Sequence, residues 1–146
     1  MRPLKGSKMV LWILVFSAFI GFLDALYLTI SHFTNSMPPC AIVGCEQVLN
    51  STYSSLMSVP IALLGVIYYL IAFFLAIAYI DRKKTWILYV MAAASVVGVL
   101  ASSFFVFLQL GPLQAVCIYC MISAACCLTY AVLTFSQIRH VVPLPN

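Results

Sequence analysis

Charged side chains are scarce in this 146-residue sequence: they make up 7% of it, with three acidic residues, Asp24, Glu46 and Asp81, against seven Lys and Arg. With 65% of residues hydrophobic and a mean hydropathy of +1.15, too little polar surface remains to cover a soluble domain of this size. The composition predicts an integral membrane protein, all α-helical. Internal repeats and low-complexity segments are lacking as well. The first apolar stretch has no small-residue cleavage site after it, so it reads as a retained helix and not as a signal peptide. The net charge of +4 has a topological cause, given below, and points to no nucleic-acid partner.

What the sequence does have is apolar length. A spanning helix needs about 20 mostly apolar residues, and four stretches qualify, at about 9–32, 59–80, 85–110 and 115–138. A single four-helix transmembrane domain over residues 1–146 is expected, with an outer loop at 33–58. Lys and Arg in short loops stay cytoplasmic. Arg2, Lys5 and Lys8 precede the first stretch, Arg82, Lys83 and Lys84 separate the second from the third, and Arg139 follows the fourth. Both termini are thus expected inside, in a multi-pass protein of the cytoplasmic (inner) membrane. The loop at 33–58 and the turn at 111–114 carry no basic residue and fall outside, where disulfides persist.

That loop is long for a plain connector. Pro38 and Pro39 hold the approach to Cys40 extended. Glu46 to Leu49, followed by Tyr53, Leu56 and Met57, has the pattern of a short amphipathic half-helix capping the bundle. Pro60 suits the first turn of the second helix. Ala94, Gly98 and Ser102 recur at four-residue spacing in the third helix, a packing pattern of membrane helices. Phe104, Phe105 and Phe107 at its outer end fit either an interfacial belt or the wall of a pocket for a flat apolar ligand.

Four of the six cysteines fall at the outer boundary. Cys117 and Cys120, three apart in a helix, share a face with Cα atoms about 5–5.5 Å apart, within disulfide range. Near a helix N-terminus a thiolate is favoured. Cys40 and Cys45 form a second pair on the loop. A movable pair beside a fixed one suggests thiol–disulfide exchange, with electrons passing from an outside partner to Cys40, from Cys45 to Cys117, and on to Cys120. At that depth the available two-electron oxidant is a membrane quinone. A structural disulfide staple and a four-cysteine zinc site are the alternatives; thiolates on an oxidising face disfavour the metal, and none is expected. Cys126 and Cys127, adjacent and about 100° apart on the helix, read as packing.

The joint pattern Cys40, Cys45, Ser51, Pro60, Leu63-Leu64-Gly65, Tyr68-Tyr69, Cys117 and Cys120, with Tyr27-Leu28-Thr29 in the first helix, resembles the vitamin K epoxide reductase family in its prokaryotic form over nearly the whole chain. The resemblance implies a four-helix bundle around a quinone of the ubiquinone, menaquinone or vitamin K type. Cys120 would be its quinone-reactive thiol and Cys117 the resolving partner. Cys45 would shuttle to Cys117, and Cys40 to a DsbA-like thioredoxin-fold protein. Ser51 would hold the half-helix cap, although in Asn50-Ser51-Thr52 it reads equally as a helix N-cap. Pocket walls would come from Leu49, Leu64, Tyr68, Phe105, Gln109 and Leu113. Ile61 and Ala124 stand where epoxide-reducing vertebrate members have Asn and Tyr, which implies quinone reduction in preference to epoxide reduction. A separate partner is expected, because many members carry a fused thioredoxin-like domain and this chain ends at Asn146 without one.

Two further readings stay open. Asp24, inside the first helix, either handles protons for the quinone or hydrogen-bonds a neighbouring helix; His32 reads as an interfacial residue. A DsbB-type disulfide generator would place its C-x-x-C in the first outer loop, the reverse of the order here. A non-enzymatic tetraspan scaffold with structural disulfides would tolerate Cys120→Ala.

Overall fold

In a computed structural model, described over residues 5–36, 39, 47–48, 55–56 and 59–141, the chain forms four long helices. These are α1 (Lys5–Phe33), α2 (Ile61–Arg82), α3 (Thr85–Leu110) and α4 (Ile118–Val141), with a two-residue antiparallel ladder of β1 (Ser55–Leu56) and β2 (Val59–Pro60) ahead of α2. All four helices are long and apolar enough to cross a membrane, and the protein is a multi-pass membrane bundle. α1 packs most heavily on α2 and α4, and α3 on α4.

Large apolar side chains such as Phe16, Phe74, Leu100 and Phe107 are exposed. On a soluble protein such a surface would aggregate; in a bilayer it is the lipid contact. Inside the spans, several hydroxyls are satisfied within their own helix. Thr29 donates to the Ala25 carbonyl (2.7 Å), Ser95 to Met91 (2.7 Å) and Thr134 to Tyr130 (2.8 Å), the back-bonding that lets hydroxyls sit in helices. Tyrosines bond across helices as well: in this core Tyr130 donates to the Ala72 carbonyl at 2.9 Å.

The densest packing lies toward the end that carries Arg82, Lys83, Lys84 and Arg139. There Leu11, Leu14 and Ala18 of α1 meet Ala72, Ala76 and Tyr79 of α2, Ile87, Leu88 and Met91 of α3, and Tyr130 of α4. Small residues on α1 and α2 allow the close approach. The C-x-x-C motif sits at the opposite end, outside this cluster.

Three expectations need correction. α4 begins at Ile118 and ends at Val141, three residues later at each end than hydropathy suggested. α2 runs two residues later than expected, which takes Asp81 into its last turn and makes Pro60 its N-cap, with φ −63° and ψ 131°. Leu56, assigned to an amphipathic half-helix, instead pairs with Val59 across the β ladder. Of that segment Gln47 and Val48 are helical; its remaining residues lie outside the described ones. α3 coincides with the expected stretch, because Lys84 and the Gly111-Pro112 turn bound it sharply.

Candidate thiol site at the start of the fourth helix

The turn from α3 to α4 is built by Gln109. Its backbone carbonyl accepts the Ala115 N–H at 3.0 Å, and its side-chain Oε1 accepts the Cys117 N–H at 2.8 Å. Gln114 takes a left-handed φ of 46° between them, so the chain reverses within a few residues. Gln109 is 2% exposed: its amide is sealed inside, anchoring Cys117, a role that the sequence reading of Gln109 as pocket wall did not assign.

Because α4 starts at Ile118, Cys117 is its N-cap and Cys120 its third residue. The Cys117 carbonyl accepts the first helical bond, from Met121 N–H at 3.1 Å. The thiol, fully buried, occupies the place where a capping side chain accepts from the orphan N–H groups of the first turn. The Cys120 thiol donates to it, and the backbone N–H groups of Cys120 and Tyr119 add to this; against the opposing effect of burial, they bring Cys117 down from 9.0 to about 6. In the reduced pair Cys117 is therefore mostly thiolate at neutral pH.

A pH titration follows from this. Replacing Cys120 by Ala removes the principal donor, so the Cys117 midpoint rises from about 6 toward 9 and the thiolate becomes a minority at neutral pH. Cys120→Ser keeps a donor and holds the midpoint low. Thiolate absorbance in the ultraviolet against pH, with Cys117→Ala as the blank, reads both; an unmoved midpoint in Cys120→Ala would contradict the capping geometry.

Tyr119, between the two cysteines, was not singled out in the sequence. Its hydroxyl donates to the Pro39 carbonyl at 3.0 Å, and its ring packs on Tyr27 of α1 with centroids 5.5 Å apart. Pro39 immediately precedes Cys40 in the chain. A phenol inside C-x-x-C was the available signal, although its partner could not be read from spacing.

Cys40, Cys45, Leu49 and Ser51 lie outside the described residues. Ile61, Leu64, Phe105, Leu113 and Ala124 all fall at the C-x-x-C end, on α2, α3, the turn and α4; Leu64 is exposed and the others half-buried. Tyr68 turns its hydroxyl to Cys127 Sγ, 3.5 Å away, over Gly98, where any Cβ would collide with both groups. Tyr68 and Cys127 thus fill the seam between α2, α3 and α4. Among the described residues no cluster of His, Cys, Asp and Glu could hold a metal.

Among the described residues, the buried Asp24 Oδ2 has no hydrogen-bond partner, and the carboxyl lies within electrostatic range of Cys117 and Cys120. A groove of about 510 Å³ between α3 and α4, lined by Val99, Leu128 and Phe135 and reaching Arg139, is elsewhere: Arg139 is about 28 Å along α4 from Cys120 at 1.5 Å per residue.

Compared with known proteins, residues 12–135 match the profile of the vitamin K epoxide reductase family. No individual curated protein matches the chain.

Proposed function

Since the chain belongs to the vitamin K epoxide reductase family and is a membrane thiol oxidoreductase of its quinone-linked kind, we propose that it generates disulfides in an outside thioredoxin-fold protein and delivers the electrons to quinone. It would act as one four-helix unit, with both termini on the cytoplasmic side, as the basic residues require. The observation that carries this reading is the Tyr119 hydrogen bond to Pro39, which ties the chain beside Cys40 to the centre of C-x-x-C.

In this reading the partner dithiol reduces the Cys40–Cys45 disulfide by exchange through Cys40. Cys45 thiolate then attacks the Cys117–Cys120 disulfide at Cys117, and Cys120 leaves as a thiol. Attack of Cys40 on Cys45 expels Cys117. Its low pKa makes Cys117 a good leaving group, since exchange is faster the more acidic the departing thiol. Bound quinone supplies a two-electron oxidant within the hydrocarbon. Leu64, Phe105, Leu113 and Ala124 would offer it apolar contact, with Leu49 and Ile61 beside them and Ser51 supporting the cap. Cys120, one turn into the membrane from Cys117, would be the thiol that reacts with it, and Gln109 holds Cys117 in register.

The test is a reconstituted system of purified protein, a reduced DsbA-like protein and ubiquinone or menaquinone. Quinol should appear one for one with partner disulfide. Tyr119→Phe, which removes the tether and little else, should slow partner oxidation about 3- to 10-fold, the scale of one neutral hydrogen bond. Absence of quinol formation by the wild type would overturn the proposal.

A further inference from the structure

Asp24 has a position that packing defines. Tyr69 of α2 lies across Gly21 of α1, where a Cβ would collide with the ring. Its hydroxyl donates to the Ser123 carbonyl at 2.6 Å and lies 2.9 Å from Ser123 Oγ. Tyr69 thus bridges Gly21 on α1 and Ser123 on α4. α1 and α4 run antiparallel, so one turn toward the cysteine end from this bridge brings Asp24 opposite Cys120. One turn further along α1, Tyr27 meets Tyr119, the residue before Cys120. Asp24 is therefore held against the C-x-x-C turn by a contact on either side.

The groups facing it are Tyr69 from α2 and Cys117, Tyr119, Cys120 and Cys126 from the start of α4. Among the described residues, Oδ2 receives no hydrogen bond. A carboxyl inside a span with an orphaned oxygen is costly and calls for a function.

Proton bookkeeping supplies one. Forming the Cys117–Cys120 disulfide from a thiolate and a thiol releases two electrons and one proton. Quinone takes up two electrons and two protons to become quinol. One proton is missing at the site. We propose that Asp24 is the proton donor that completes quinone reduction, giving up its carboxyl proton as the Cys117–Cys120 bond forms. The loop dithiol then reduces that disulfide, regenerating one thiolate and one thiol and releasing one proton, which returns to Asp24. The cycle closes in atoms and charge. The inference rests on the quinone-reducing reading above and deepens it.

Three measurements on the full-length protein test it: anaerobic oxidation of the Cys117/Cys120 dithiol by quinone at pH 6 and pH 8, oxidation of the same dithiol by diamide without quinone, and infrared difference spectra in the carboxyl region. Asp24→Asn should slow quinone-dependent oxidation at pH 8 by about 10²-fold or more, the scale of general-acid catalysis. The deficit should narrow at pH 6, where solvent protons substitute. The diamide rate should stay at the wild-type value, and Asp24→Glu should recover part of the quinone rate. The wild type should show a carboxyl band that Asp24→Asn lacks. A wild-type quinone rate and pH profile in Asp24→Asn would overturn the inference, as would an equal loss with diamide, which would make Asp24 merely structural. A wild type that quinone does not oxidise overturns the oxidoreductase reading and this inference together, whereas the two preceding outcomes remove Asp24 alone.

Discussion

Cys120→Ala should abolish quinone-dependent oxidation of the protein's thiols, with a loss of at least about 10³-fold, the scale on which removing a reacting nucleophile registers. Two effects combine in that variant. The thiol proposed to react with quinone is gone, and Cys117 loses the donor that keeps it a thiolate. Cys120→Ser separates them, because a hydroxyl still donates to Cys117 but cannot form a disulfide. Under the relay, Cys120→Ser falls as far as Cys120→Ala despite a normal Cys117 titration. If Cys120 served only to tune Cys117, the serine variant would keep most of the activity. The side chain is half-buried and small, so thermal melts in detergent should stay near the wild type. Stopped-flow measurement of quinol formation, beside those melts, decides the matter.

Gly21→Val should be the most destabilising single substitution at the cysteine end of the bundle, by about 2–4 kcal/mol. Overpacking a tight contact costs about 1–3 kcal/mol, and about 1 more is lost with a hydrogen bond. The Tyr69 ring rests on Gly21 and cannot swing aside, because it is 3% exposed and bound to Ser123. Displacing it breaks that bond and shifts α1 against α4, so Asp24 and Cys120 lose register together. Gly65→Ala provides the contrast: its added Cβ would meet only Ala25 Cβ at 3.3 Å, a contact that a slight shift relieves. Reversible unfolding in mixed micelles should rank Gly21→Val well below Gly65→Ala, and equal stabilities would contradict the Tyr69 bridge.

The number of helices and the end of the bundle that bears Cys117 and Cys120 were legible in the sequence, since apolar length and the C-x-x-C spacing are local signals. α3 was placed to the residue, because a Lys pair and a Gly-Pro turn mark its ends. α4 was placed three residues early. Hydropathy rates Ala115 and Val116 as helical, whereas the Gln109 side chain, eight residues away, captures the Cys117 N–H and delays the helix. That displacement changes the chemistry: Cys117 becomes a cap with a stabilised thiolate, not one more residue of a first turn. Tyr119 escaped notice, and Gln109 was read only as pocket wall, for the same reason: each acts through a partner distant in sequence. Asp24 was visible as an anomaly in an apolar run, but its alignment with Cys120 depends on the Gly21–Tyr69–Ser123 contact, which no spacing rule encodes. Leu56 misled because alternating and helical apolar patterns are hard to tell apart over a few residues.

The order in which the disulfides form tests the relay most directly. The protein is fully reduced without its partner, mixed anaerobically with menaquinone or ubiquinone, quenched with acid at increasing times, and its disulfides mapped by mass spectrometry. The account predicts that Cys117–Cys120 appears first and Cys40–Cys45 follows, and that Cys40–Cys45 never forms in Cys117→Ala or Cys120→Ala. Formation of Cys40–Cys45 first, or at the wild-type rate in Cys120→Ala, would contradict it.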